Sequence, residues 1–218
     1  MLIQADGSNL VVGAGDEGYG LLIRGQITSS GLYDGFSSTG LRIEGDGLGA
    51  TTTITGGVSI DSVLSTNAQE ASALSVVFGN DSITSLLQVR GSIFANANAD
   101  GAFLSRAILI DTGASVATFN NSGLIQANLF GETGSAAAIT DLSGTLTSIT
   151  NTGQIVALII PTDDDLTDDI LPPTPTGTAV AIDVSNAASG VLLEQLAPVV
   201  FNDDDTVDDI VAATARIV

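Results

Sequence analysis

The sequence predicts an all-β protein, a parallel β-solenoid (β-helix) of about six coils with roughly 30–37 residues per coil. Three observations carry this. A Gly-x-aliphatic element recurs at Gly25, Gly56, Gly91, Gly123, Gly153 and Gly190, with spacings of 31, 35, 32, 30 and 37 residues. Hydrophobic residues make up 44% but aromatics only 4%, so the apolar content is Val, Ile, Leu and Ala, a mixture suited to short strands. Gly, Asn, Asp and Ser gather at the junctions, where positive φ or local side-chain hydrogen bonds are needed.

Residues 1–20 read as an N-terminal lead-in. Within it, "NLVVGAGDEGYG" has the Gly13-x-Gly15-x-x-Gly18 spacing of a dinucleotide fingerprint. That chemistry requires a helix opening at the glycines, so that its N-terminal N–H groups meet a pyrophosphate. Residues 21–31, "LLIRGQITSSG", read instead as a strand and a turn, so the glycines are a turn into the first coil. Each later unit then holds three short strands. One comes after the repeat glycine and ends on a small residue, as in "SIFA", "LIQA" and "QIVA". A second lies midway between glycines: "LRIEG" (41–45), "LSVVFG" (74–79), "ILIDTG" (108–113), "AAITDLSG" (137–144) and "VAIDVS" (180–185). A third precedes the glycine: "TTTI" (51–54), "SLLQV" (85–89), "VATF" (116–119) and "LTSI" (146–149). A single unit cannot bury its inward face, whereas stacked units can, each strand pairing in parallel with its equivalent about 4.8 Å away. The chain is thus one domain over 1–218, with acidic loops at 161–177 and 202–209 ejected from the coils. "LPPTPTG" in the first loop cannot continue a central strand.

Net charge is −20, with five Arg, no Lys and no His. Such a surface repels phosphate backbones and anionic lipid, so no nucleic-acid partner is expected. No apolar run reaches the roughly 20 residues of a spanning helix, so no transmembrane segment is expected. Without Cys or His, neither Ser–His nor Cys–His nucleophile systems can be assembled from this chain. No charged-then-apolar leader comes after Met1, and the expectation is either a mature or trimmed fragment or export by information lying elsewhere.

"AILIDTGASV" (107–116) spells the Asp-Thr-Gly signature of an aspartic protease at Asp111. That chemistry needs a second carboxylate sharing the proton. Asp141 and Asp183 end similar aliphatic strands, which makes Asp111 one of three turn-capping corner residues instead. No catalytic residue is assigned.

"TDDDLTDD" (162–169) and "NDDDTVDD" (202–209) hold ten of the 25 acidic residues. Clustered carboxylates offer the hard oxygens that Ca²⁺ takes, without the Gly and terminal Glu of an EF-hand loop. The candidate calcium ligands are Asp163, Asp164, Asp165, Asp168, Asp169, Asp203, Asp204, Asp205, Asp208 and Asp209. A solvated acidic loop is the alternative reading.

"YGLLIRGQITSSGLYDG", "NNSGLIQA", "AAAITDLSGTLTSITNTGQIVA" and "GTAVAIDVSNAASGV" resemble the passenger domains of autotransporter-type surface proteins of Gram-negative, sphingomonad-like alphaproteobacteria. The family's Asn-Ser/Thr-Gly-x-Ile-x-Ala unit is matched by Asn121-Ser122-Gly123-Leu124-Ile125-Gln126-Ala127 and Asn151-Thr152-Gly153-Gln154-Ile155-Val156-Ala157. The resemblance implies an exported solenoid displayed at the cell surface. The expected function is a non-enzymatic extracellular structural or adhesive β-solenoid. It would form a homo-oligomer or filament by end-to-end stacking, or hold a glycan or surface receptor on its uncharged faces. The alternatives are a β-helix polysaccharide-acting enzyme, which needs aligned carboxylates and aromatics in a groove, and a calcium-dependent binding module.

Overall fold

The structure, a computed structural model, describes residues 1–162, 174–196 and 216–217. Among these residues it is all-β with no helix. The chain opens with β1 (Leu2–Gln4), β2 (Leu10–Val12), β3 (Leu21–Ile23) and β4 (Ile27–Gly31). The next turn carries β5 (Ser38–Glu44), β6 (Thr52–Ile54), β7 (Val58–Ile60) and β8 (Val63–Gln69). Thereafter three strands complete each turn: β9 (Ala73–Phe78), β10 (Ser82–Val89) and β11 (Ser92–Asn98), then β12 (Leu104–Ile110), β13 (Ser115–Asn121) and β14 (Leu124–Phe130). After them come β15 (Ser135–Asp141), β16 (Ser148–Asn151) and β17 (Gln154–Ile160), and then β18 (Thr178–Asp183), β19 (Leu192–Gln195) and β20 (Arg216–Ile217).

These strands stack into three parallel sheets. Sheet I runs β1-β5-β9-β12-β15-β18, and sheet III runs β4-β8-β11-β14-β17-β20. Sheet II runs β2-β6-β10-β13-β16-β19, with β3 and β7 alongside. In the first two turns sheet II is interrupted over residues 13–20 and 55–57, and β10 is the first strand to cross it unbroken. Gly56 and Gly57 have φ of 78° and 108°, and a Cβ on Gly56 would strike the Gly18 carbonyl. Gly56 is therefore a break within a sheet, not a repeat corner as its letters imply. Its expected place is taken by Ser62, the residue before β8, because Val63 pairs with Ser92. Gly190 likewise precedes β19 and has no equivalent at that corner. Residues 1–20 already contribute β1 and β2, which pair with β5 and β6.

The core follows the strand alternation. In sheet III the inward residues Ile93, Ile125 and Ile155 stack, as do Ala95, Ala127 and Ala157, the small residues read from the sequence. The alanines are small because sheet I comes close there. Ser75 Oγ donates to the Phe94 carbonyl at 2.6 Å, and Ser105 Oγ to the Ala95 carbonyl at 2.9 Å. Sheet I bends at that height. Its ladder skips one position per turn, at Gly40, Ser75, Ala107, Ala138 and Ala181, all small. Burying Leu41, Val76, Ile108 and Ile139 beyond the bend, each a fully enclosed aliphatic side chain, contributes about 2 kcal/mol per residue to stability.

Candidate functional site

The motif Asn-Ser/Thr-Gly-x-Ile-x-Ala is a device for turning the corner from sheet II to sheet III. Asn121 Nδ2 donates to Asn151 Oδ1 at 2.7 Å, and Asn151 Nδ2 donates to Gln195 Oε1 at 2.8 Å. Within each turn the same side chain accepts the glycine N–H two residues on, Gly123 to Asn121 at 3.1 Å and Gly153 to Asn151 at 3.2 Å. The glycines are needed by close approach: a Cβ on Gly123 would lie 1.8 Å from the Gly91 carbonyl oxygen, and one on Gly153 2.1 Å from that of Gly123. Asn121 and Asn151 are buried, so their paired amides also satisfy groups that would be costly to leave unpaired.

The corner from sheet I to sheet II holds the aspartates, but in staggered positions. Asp141 pairs with Ile110, one residue before Asp111, and Asp183 pairs with Thr140. They are not equivalent residues of the repeat. Asp141 is 1% exposed and caps the whole turn: Oδ1 accepts the N–H groups of Ser143 and Gly144, and Oδ2 that of Leu146, each at 3.0 Å. Among the described residues, the Asp111 carboxylate accepts only the adjacent Thr112 N–H, at 2.8 Å. The Ser185 hydroxyl and N–H, donating to Asp183, hold its carboxyl below the usual range. Burial pushes the Arg106 guanidinium down against the opposing pull of Asp183 and Asp111, and its Nε has no partner among the described residues.

The Gly13–Gly18 loop leads into β3, a strand, so no helix N-terminus faces it. It is lined by Asp16 and Glu17, the wrong charge for a pyrophosphate. Tyr19 is fixed by Arg90, whose Nη2 donates to the phenol oxygen at 3.0 Å while Nη1 meets Asp61 at 3.3 Å. The ten candidate calcium ligands, Asp163–Asp165, Asp168, Asp169, Asp203–Asp205, Asp208 and Asp209, lie outside the described residues. Among the described residues no three His, Cys, Asp or Glu side chains gather to hold a metal.

The face with the most organised unspent polarity is the outside of sheet III. Asn96 Nδ2 donates to Asn67 Oδ1 at 3.0 Å, and Asn128 Nδ2 to Asn96 Oδ1 at 2.9 Å. One column further on, Asn98 Nδ2 donates to Gln69 Oε1 at 2.9 Å, and Phe130 is the next residue of that column. A shallow depression of about 440 Å³ is lined by Asn67, Gln69, Asn96, Asn98, Phe130 and Thr162. Sequence reasoning did not single these residues out. The signal was the alternation in "TNAQ" (66–69), "ANAN" (95–98) and "ANLF" (127–130), which puts Ala, Thr or Leu inward and an amide, or Phe130, outward. No charged residue occurs in β4, β8, β11, β14 or β17.

No protein-family model matches the chain, no curated protein is similar to it, and no solved structure matches it. The parallel β-solenoid defines the class of protein, and the likeness to autotransporter passengers rests on the quoted motifs alone.

Proposed function

We propose that this chain is a non-enzymatic structural or adhesive β-solenoid displayed outside a bacterial cell, self-associating into a fibre or surface layer. The observation that carries the reading is the division of its polar groups. Among the described residues, six carboxylates have local duties: Asp46, Asp141 and Asp183 accept turn N–H groups, and Glu17, Glu44 and Asp61 pair with arginines. The sheet III face between the corners is uncharged and amide-laddered, suited to contact and not to proton transfer. Self-association is supported by the uniform parallel pairing of the strands in all three sheets, because an exposed edge of a parallel sheet offers N–H and C=O groups to another strand. A heterologous contact of that kind propagates.

Electron microscopy of the purified chain tests this reading, with Ca²⁺ and with chelator as parallel arms. Uniform fibres with an axial repeat near one solenoid length are the expected result. Monodisperse short rods in both arms would remove self-association from the proposal. Exposure at the cell surface is checked separately, by protease accessibility on intact cells.

A further inference from the structure

We infer that the depression on the outer face of sheet III binds an uncharged oligosaccharide lying along the long axis of the solenoid. The inference rests on the reading of the chain as a surface contact module and names the ligand class of one of its faces.

The shape argues first. The lining residues come from successive turns: Asn67 and Gln69 from β8, Asn96 and Asn98 from β11, Phe130 from β14, and Thr162 just beyond β17. At about 4.8 Å per turn the depression is some 14 Å long and runs across the strands. It fits a short linear chain of rings better than a single compact molecule.

The chemistry argues second. An amide side chain carries two N–H donors and an acceptor oxygen with two lone pairs, and the ladder uses only part of this capacity. Asn67 Nδ2, Gln69 Nε2 and Asn98 Oδ1 have no protein partner among the described residues, although their opposite ends are fixed by ladder bonds. The amides are held in place before any ligand arrives, which lowers the ordering cost of binding. Mixed donors and acceptors in a row match sugar hydroxyls, which are both. Phe130, half-buried in the same column, presents an apolar ring suited to the C–H face of a pyranose. A pocket with an apolar platform and a few convergent polar groups is the usual form of a small-ligand site.

Charge selects among sugars. The four strands beneath the depression hold no Lys, Arg, Asp or Glu, so nothing there pairs with a uronate or sulfate. A net charge of −20 repels both. An extended peptide would need a sheet edge, and this is a sheet face.

The test is titration of the ¹⁵N-labelled full chain with cellohexaose and, separately, with hexagalacturonate, tracking the side-chain amide signals of Asn67, Gln69, Asn96 and Asn98. Cellohexaose is expected to shift these signals, and hexagalacturonate to leave them unchanged. Phe130→Ala and Asn98→Ala should each weaken cellohexaose binding about fivefold, the scale of one aromatic contact or hydrogen bond. Gln69→Glu at an exposed position keeps the test meaningful if Phe130→Ala disturbs the fold, and it too should weaken binding. No shift with millimolar cellohexaose, equal binding of the acidic sugar, or indifference to all three variants would overturn the inference. So would a sugar-free dimer in sedimentation that Phe130→Ala dissolves, since the face would then belong to a second copy. Fibres or rods seen by microscopy are independent of each of these results, so failure here leaves the structural reading standing.

Discussion

The two corners that flank sheet II solve the same problem differently. Between sheets II and III, the turns at Gly91, Gly123 and Gly153 use the same two-residue step, and these three glycines stack carbonyl against Cα. Between sheets I and II, every turn improvises: a loop around Asp46, then Asn80–Asp81, then Asp111–Ala114, then the capped Asp141–Leu146 segment. A corner whose backbones touch from turn to turn must repeat its letters in strict register. A corner stabilised by one carboxylate on its own turn need not, because that bond is local.

The largest effect expected from breaking the strict corner is at Gly123. Gly123→Val would push Cβ into the Gly91 carbonyl and should cost at least about 3 kcal/mol, whereas Gly25→Ala, with nothing within 4 Å of the new carbon, should stay within about 0.5 kcal/mol. Urea unfolding of both variants checks the contrast, and equal losses would mean the stack is not the constraint. At the improvised corner, Asp141→Ala should cost about 2–3 kcal/mol by orphaning the N–H groups of Ser143, Gly144 and Leu146. A smaller loss would show that water replaces the carboxylate.

Asp183 gives a pH prediction. Its folded pKa is depressed, chiefly by the Ser185 hydroxyl, so its contribution to stability is fully present above the unfolded value of about 3.9. That contribution is lost as pH falls through the folded value. Ser185→Ala should move the Asp183 carboxyl titration, monitored by carbon NMR, upward toward the ordinary range. An unmoved titration would assign the shift to the Ser185 backbone N–H, which the substitution keeps. The smallest effect is expected for Asp111→Ala, within about 0.5 kcal/mol in thermal or urea unfolding, since one adjacent N–H is all that its carboxylate accepts among the described residues. A loss as large as that of Asp141→Ala would restore the equivalence that the register denies.

Legibility in the sequence tracked the kind of constraint. Ile93, Ile125 and Ile155, with Ala95, Ala127 and Ala157, were readable because burial imposes the same demand on every turn. The triplet Gly91, Gly123 and Gly153 was readable because stacked backbones leave no room for a Cβ. Gly56 and Gly190 carried the same letters without that constraint, and Asp111, Asp141 and Asp183 shared a corner but not a position. The amide face was written in plain alternation at 66–69 and 95–98, yet alternation alone does not say which outward residues become neighbours across turns.

By itself the sequence determined the class of architecture: parallel strands stacked in turns, an aliphatic interior, and the asparagine–glycine corner. Each comes from a repeated local need to bury an inward face or to clear a backbone. Only the tertiary structure decided the offsets between turns, and with them the interruption of sheet II, the bend of sheet I against the alanines of sheet III, and the assembly of Asn67, Asn96 and Asn98 beside Phe130. Corner length sets the register between turns, so residues about 30 positions apart become neighbours only once every corner between them has been built.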